Sequence, residues 1–212
     1  PVFIKANSQR YILEPKAALD ALAGLAITQS LQGHRGEATE TLRQLLTYAN
    51  ERNDAESLSM AESCQARLQL LHGELEAAAS WARSANTTLA PDELFSWLEV
   101  PSLTRVRVLL AIGTEESLQE AAAQLDVVQQ LCDSCRYTGQ AIEVAVLQSL
   151  LYSTLGRTDD ALSSLQEAVT IDSPDSWIRP FIELGQPMAE LLGQLQSEPR
   201  QGDFVKRLLI CF

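Results

Sequence analysis

The chain contains no glycine followed by lysine, and so no G-x-x-x-x-G-K-[ST] loop to cradle the phosphates of a nucleotide. G-x-S-x-G, H-E-x-x-H and G-x-G-x-x-G are equally missing. Without a nucleophile elbow, a zinc-protease helix or a dinucleotide turn, no enzymatic role is expected of this segment, and no cofactor. Lysine is scarce: only Lys5, Lys16 and Lys206 occur, and the formal net charge is −12. Phosphate contact needs clustered Lys and Arg, so nucleic acid is excluded as a direct partner. No stretch approaches the ~18 continuous apolar residues of a membrane span. Cys64, Cys132, Cys135 and Cys211 are irregularly spaced, which suits reduced thiols in a cytoplasmic protein. Cys132 and Cys135 form one C-x-x-C, supplying two of the four ligands that a structural zinc needs, so no metal site is expected.

The 10 glycines and 8 prolines fall between periodic apolar segments, as an all-helical chain requires. Residues 142–174 show the pattern best. Val144, Leu147, Leu151 and Tyr152 make an apolar stripe at helical period, and Ala161, Leu165 and Ala168 make a second after Gly156. Asp159 and Asp160 stand where negative charge suits the positive end of the helix dipole. Small side chains at Ser149, Ala161 and Ala168 allow the two helices to approach closely. The pattern looks like a tetratricopeptide-type hairpin, which cannot bury its apolar face alone and must stack with others.

Copies are present. Gly33, Gly73, Gly113 and Gly156 each follow an apolar helical segment, at intervals of 40, 40 and 43 residues. Ala38, Ala78 and Ala161 stand five residues after their glycines, whereas Ala121 stands eight after Gly113, which points to three extra residues in that turn. The fold expected is all-α: an α-solenoid of about four TPR-like hairpins of roughly 40 residues.

Residues 1–14 read as a lead-in from a preceding segment, and residues 15–174 as the repeat tract. Pro15 opens the first helix, and Asp54 or Ser57 caps a later one. Residues 175–212 lose the register and read as an irregular helical cap of three shorter helices, interrupted by Pro180, by Gly185 with Pro187, and by Pro199. Both ends look cut, so the chain is expected to be part of a larger protein with a further domain downstream.

Arg67 and Arg107 each lie six residues before a repeat glycine, hence at one position on the first helices of adjacent hairpins. Glu143 continues the row and is within reach of Arg107 by register. Two readings stand side by side: an inter-repeat ion pair worth about 1 kcal/mol if exposed, or a polar groove in which Arg offers a planar fork of donors to a ligand. Trp81 reads as inter-helix packing, while for Trp97 and Trp177, near breaks in the repeat, packing and a ligand groove are closer readings. His34 and His72 fall at hairpin turns, where a partly charged imidazole suits the last carbonyls of a helix.

Three stretches carry a family likeness. Arg107 to Gly113 (RVLLAIG), then Ile142, Glu143, Leu147 and Gln148, then Ile178, Arg179, Phe181, Glu183, Gly185, Pro187 and Met188 resemble motifs of the superhelical (TPR-like) sensor region of MalT-type ATP-dependent LuxR-family transcriptional activators. Leu184 and Pro180 depart from the family pattern at the last of these. The resemblance implies a modular regulator, with an ATPase module upstream and a helix-turn-helix domain downstream. The superhelix would receive an inducer and help govern ATP-dependent self-association. It adds Gln148 and Arg179 to the candidate ligand-binding set of Arg67, Arg107, Glu143 and Trp177. The partner in the groove is then a small-molecule inducer or, in the rival reading of a pure docking scaffold, another protein.

Overall fold

The computed structural model describes residues 14–85, 98–171, 177–195 and 199–212. The lead-in up to residue 13 and Trp97 therefore lie outside the described residues. Eleven helices, and no strand, occur among the described residues. The chain divides into two compact units at Ile112 and Gly113. The first holds α1 (Pro15–Leu31), α2 (Arg35–Arg52), α3 (Ala55–Leu71), α4 (Leu75–Ser84) and α5 (Pro101–Ile112). The second holds α6 (Glu115–Cys135), α7 (Thr138–Thr154), α8 (Thr158–Thr170), α9 (Arg179–Ile182), α10 (Gly185–Gln194) and α11 (Pro199–Ile210).

The glycine register is a backbone register. Gly33, Gly73, Gly113 and Gly156 all have positive φ, between 69° and 79°, a region that L side chains enter only at a cost. At three of them the same pair of bonds closes the preceding helix. The next residue's N–H reaches back five positions at 2.8 Å (His34 to Gln29, Glu74 to Gln69, Arg157 to Tyr152), and the glycine N–H reaches back three at 3.0 Å. This double closure satisfies the orphan carbonyls of the helix end and turns the chain into its return helix. The repeat alanines Ala38, Ala78, Ala121 and Ala161 are all fully buried, at 0% exposure.

One expectation is corrected. The three extra residues after Gly113 are not in the turn. α6 begins two residues after its glycine, as α2, α4 and α8 do, and it is 21 residues long. Thr114 Oγ1 accepts the Ser117 N–H at 3.2 Å and so caps the helix immediately. Leu118 takes the place that alanine holds in the other hairpins, and Ala121 follows about one turn later.

In the first unit α1 packs on α2 and α3, and α5 packs on α3 and α4. Its core includes Leu22, Ile27, Leu45, Cys64 and Leu68. Asp54, not Ser57, caps α3: its carboxylate accepts the Ser57 N–H at 2.8 Å and the Ser57 hydroxyl at 2.9 Å. Those bonds, the backbone one first, hold the Asp54 carboxyl below the usual range.

In the second unit α7 lies between α6 and α8, and the three C-terminal helices cover the α7–α8 hairpin. Ile142, Val146 and Leu165 share one core with Phe181, Met188, Leu191, Phe204 and Leu208. Phe181 and Phe204 meet edge to face, with ring centroids 5.9 Å apart. The prolines of this region start helices rather than break them. Pro180 lies in the first turn of α9, Pro187 in that of α10, and Pro199 opens α11, positions where a missing N–H costs nothing. No helix among the described residues is long and apolar enough to cross a membrane.

Candidate functional site

The two arginines of the repeat register do sit at equivalent places on α3 and α5, but neither is an exposed side chain. Arg67 is 1% exposed and Arg107 is 6% exposed. Arg67 Nη1 donates to Glu99 Oε2 at 3.0 Å and to the Leu98 carbonyl at 2.9 Å. Glu99, 0% exposed, also accepts the Thr104 hydroxyl at 2.6 Å and the Ser63 hydroxyl. The Asp20 carboxylate of α1 accepts the N–H of Leu98 at 2.9 Å and of Glu99 at 3.3 Å. A segment without helix, Leu98 to Val100, is thus pinned between α1, α3 and α5 by charge-assisted bonds. Burying this carboxylate is tolerable only because guanidinium and hydroxyl donors replace its water. Arg107 bonds back to its own helix, Nη1 to the Leu103 carbonyl at 3.3 Å.

Glu99 has no counterpart in the sequence reading. Its signal is a lone acid in the apolar run WLEVPSL, which a helical-period search passes over because Leu98 to Val100 are not helical.

In the second unit a different group forms. Glu143 projects from α7, and Arg179 and Glu183 stand four residues apart on the short α9 and its C-terminal edge. Arg179 Nη1 bonds Glu183 Oε1 at 3.2 Å, and Nη2 lies 3.7 Å from Glu143 Oε2. The side chains are 15%, 2% and 4% exposed for Arg179, Glu183 and Glu143 respectively. One guanidinium bridges two nearly buried carboxylates, with the arginine as the most accessible of the three. Trp177, half-buried, lays the edge of its indole over Gly139 in the first turn of α7. A Cβ on Gly139 would stand 2.6 Å from the ring. That seat brings the start of the C-terminal segment against α7 and sets where Arg179 begins. Glu183 and Gly139 are the residues that sequence reasoning left out of this group. The first was legible as an i, i+4 partner of Arg179.

Gln148 is half-buried on α7. Five residues from Glu143, it points about 140° away around the helix, so the structure does not bring it into the Arg179 group. His72 ends α3 and shares a 3.0 Å hydrogen bond with Ser30 Oγ. Burial, and then the Arg35 charge, lower its pKa, so it favours the neutral imidazole and not the charged helix-end form. His34 precedes α2 and is exposed. All four cysteines are free thiols. Among the described residues no group of three or more His, Cys, Asp or Glu is placed to hold a metal ion. A cavity of about 550 Å³ in the first unit, bordered by Lys16, Arg52, Asp54 and Glu56, contains none of the candidate residues.

Helical hairpins repeated at one glycine register, carrying polar groups on their first helices, define a TPR-like α-solenoid domain. Within that class the chain belongs to the family described as MalT-like TPR region, whose sequence model matches residues 5–198. Similar proteins include the HTH-type transcriptional regulator MalT of Cronobacter sakazakii, 25% identical over 183 residues, which is 86% of this chain and 20% of that protein. The protein of that description from Serratia proteamaculans is 28% identical over 123 residues, covering 58% of this chain and 13% of the relative. The one from Klebsiella pneumoniae is 24% identical over 183 residues, 86% of this chain and 20% of its own. The chain spans at most about a fifth of the length of these relatives.

Proposed function

We propose that this domain is the signal-receiving and interaction domain of a cytoplasmic transcription regulator, and that it acts by binding, not catalysis. The Glu143–Arg179–Glu183 group carries the reading. Its donors and acceptors are already oriented by the fold, so a small polar ligand would meet them with little ordering cost. Trp177 beside it offers an apolar face, and the pairing of one stacking surface with a few fixed polar groups is what small-ligand sites use. Arg107 and Gln148 are ligand-binding candidates of the second rank. Arg67, sealed in its ion pair, supports the framework of the first unit.

The family supports the regulatory setting. The relatives' description as HTH-type regulators supports a helix-turn-helix domain elsewhere in the full protein, and the resemblance to ATP-dependent activators supports an ATPase module. In this account ligand binding in the repeat domain controls ATP-dependent self-association of that larger protein.

A thermal-shift screen against neutral oligosaccharides, nucleotides and amino acids tests the proposal, because a ligand that binds only the folded state must stabilise it by mass action. One class should raise the melting temperature with a saturable dose dependence. No shift from any class up to millimolar concentration would favour the second reading, a protein-docking scaffold.

A further inference from the structure

Cys132 and Cys135 share the last turn of α6, one inside and one outside. Cys132 is 2% exposed, and Cys135 is exposed with the Ser134 hydroxyl 3.6 Å from its sulfur. Residues three apart on an α-helix have Cα atoms about 5 Å apart, inside the ~4.4–6.8 Å span of disulfides. Their Cβ atoms, however, are about 5–6 Å apart in a regular helix, beyond the ~3.5–4.5 Å that the bond requires. Closure therefore needs the turn to distort. The turn in question is the last of α6, where only the Cys132 carbonyl is held, by the Arg136 and Tyr137 N–H groups, and the carbonyls after it lie past the helical ladder. It ends in Arg136 at φ 57°, and the chain is drawn into α7 by a bond from the Tyr137 N–H to the Cys132 carbonyl at 3.1 Å.

We propose that Cys132 and Cys135 are a thiol–disulfide modification site, at which oxidation by a hydroperoxide links the two sulfurs and loosens the junction between α6 and α7. Cys135, as thiolate, attacks the peroxide oxygen. The O–O bond breaks, an alcohol or water leaves, and Cys135 becomes a sulfenic acid. The Cys132 sulfur then attacks the Cys135 sulfur, the S–O bond breaks, and the departing hydroxyl takes the Cys132 proton as water. Two thiols lose two electrons, and one hydroperoxide gains them. The order is set by the surroundings. Burial first, and then the charges of Asp133, Cys135 and Glu143, push the Cys132 thiol up to about 12, so it does not initiate. It becomes available when the last turn frays. A bond formed under such strain is of the readily reduced, regulatory kind.

Trypsin cuts after Arg107 and Arg136, so both cysteines, and neither of the others, fall in the peptide 108–136. The full chain is treated with hydrogen peroxide, quenched by alkylation in denaturant and digested. The expected result is a peptide 108–136 lighter by 2 Da than its reduced form, with no alkyl group on either cysteine, and restored by dithiothreitol. Its yield should follow a lowered melting temperature of the oxidised protein, a shift that Cys135→Ser abolishes. In Cys132→Ser, Cys135 should instead progress to sulfinic acid. Alkylated Cys132 beside an over-oxidised Cys135 in the wild type would overturn the proposal, as would Cys135 found joined to Cys211. An unchanged melting temperature of the disulfide form would overturn the loosening.

Discussion

Replacing Arg67 by methionine keeps an unbranched apolar stem but removes the guanidinium and its charge. Among the described residues the Glu99 carboxylate, at 0% exposure, is then left with the Ser63 and Thr104 hydroxyls as donors, and the Leu98 carbonyl loses its guanidinium bond. Breaking one side of a buried ion pair costs about 3–5 kcal/mol, because the remaining charge is uncompensated. Native stabilities are roughly 5–15 kcal/mol, so this one change should remove a large share of the total. The double variant Arg67→Met with Glu99→Gln should recover most of the loss, since a neutral amide keeps hydrogen bonds to the hydroxyls without a stranded charge. Urea unfolding of the four proteins of the cycle, followed by circular dichroism, measures this directly. A loss below ~1 kcal/mol in Arg67→Met, or additive losses in the double variant, would refute the buried knot and return Arg67 to the groove.

Gly139→Ala should destabilise by about 1–3 kcal/mol by thermal unfolding, despite alanine's better helix propensity, because its Cβ would stand 2.6 Å from the Trp177 ring. A quench or shift of indole fluorescence should accompany the loss. His72 supplies a pH test. Its folded pKa lies below the usual 6.5, so the folded state holds fewer protons than the unfolded one across the window beneath that value. Stability should therefore fall as pH drops from about 6.5 towards the lowered pKa. His72→Gln should flatten that part of the profile, and an identical profile in both proteins would contradict the assignment.

Much of the hairpin architecture was legible because it rests on backbone geometry. A residue that must take positive φ after every first helix is written as glycine, and a close helix approach is written as alanine, so the two letters recur together. The same logic failed at Gly113. A spacing of eight to the next alanine looks identical whether the turn or the helix is longer, and only the Thr114 cap decides. Burial of Arg67 was not legible either. Position six before the glycine names a helix face, but what meets Arg67 there is a non-helical segment carrying Glu99, whose distance in sequence from Arg67 no periodicity encodes. Glu143 was found through the repeat register and Arg179 through motif resemblance, while the Trp177 seat on Gly139 needed coordinates, because a glycine inside a helix has no sequence signature for what lies over it. The prolines were read as interruptions, although a first-turn position is equally consistent with their chemistry.

A ligand held at the Glu143–Arg179–Glu183 group must lose affinity when the guanidinium is removed. Calorimetric titration of the best stabilising compound into wild type and Arg179→Met, with melting temperatures taken on the same samples, measures that loss. Loss of a hydrogen bond from a charged group should weaken binding by about 1.5–3 kcal/mol, roughly 10- to 150-fold, while the variant remains helical with a cooperative transition. Equal affinity in the two proteins would contradict the claim and place the ligand elsewhere.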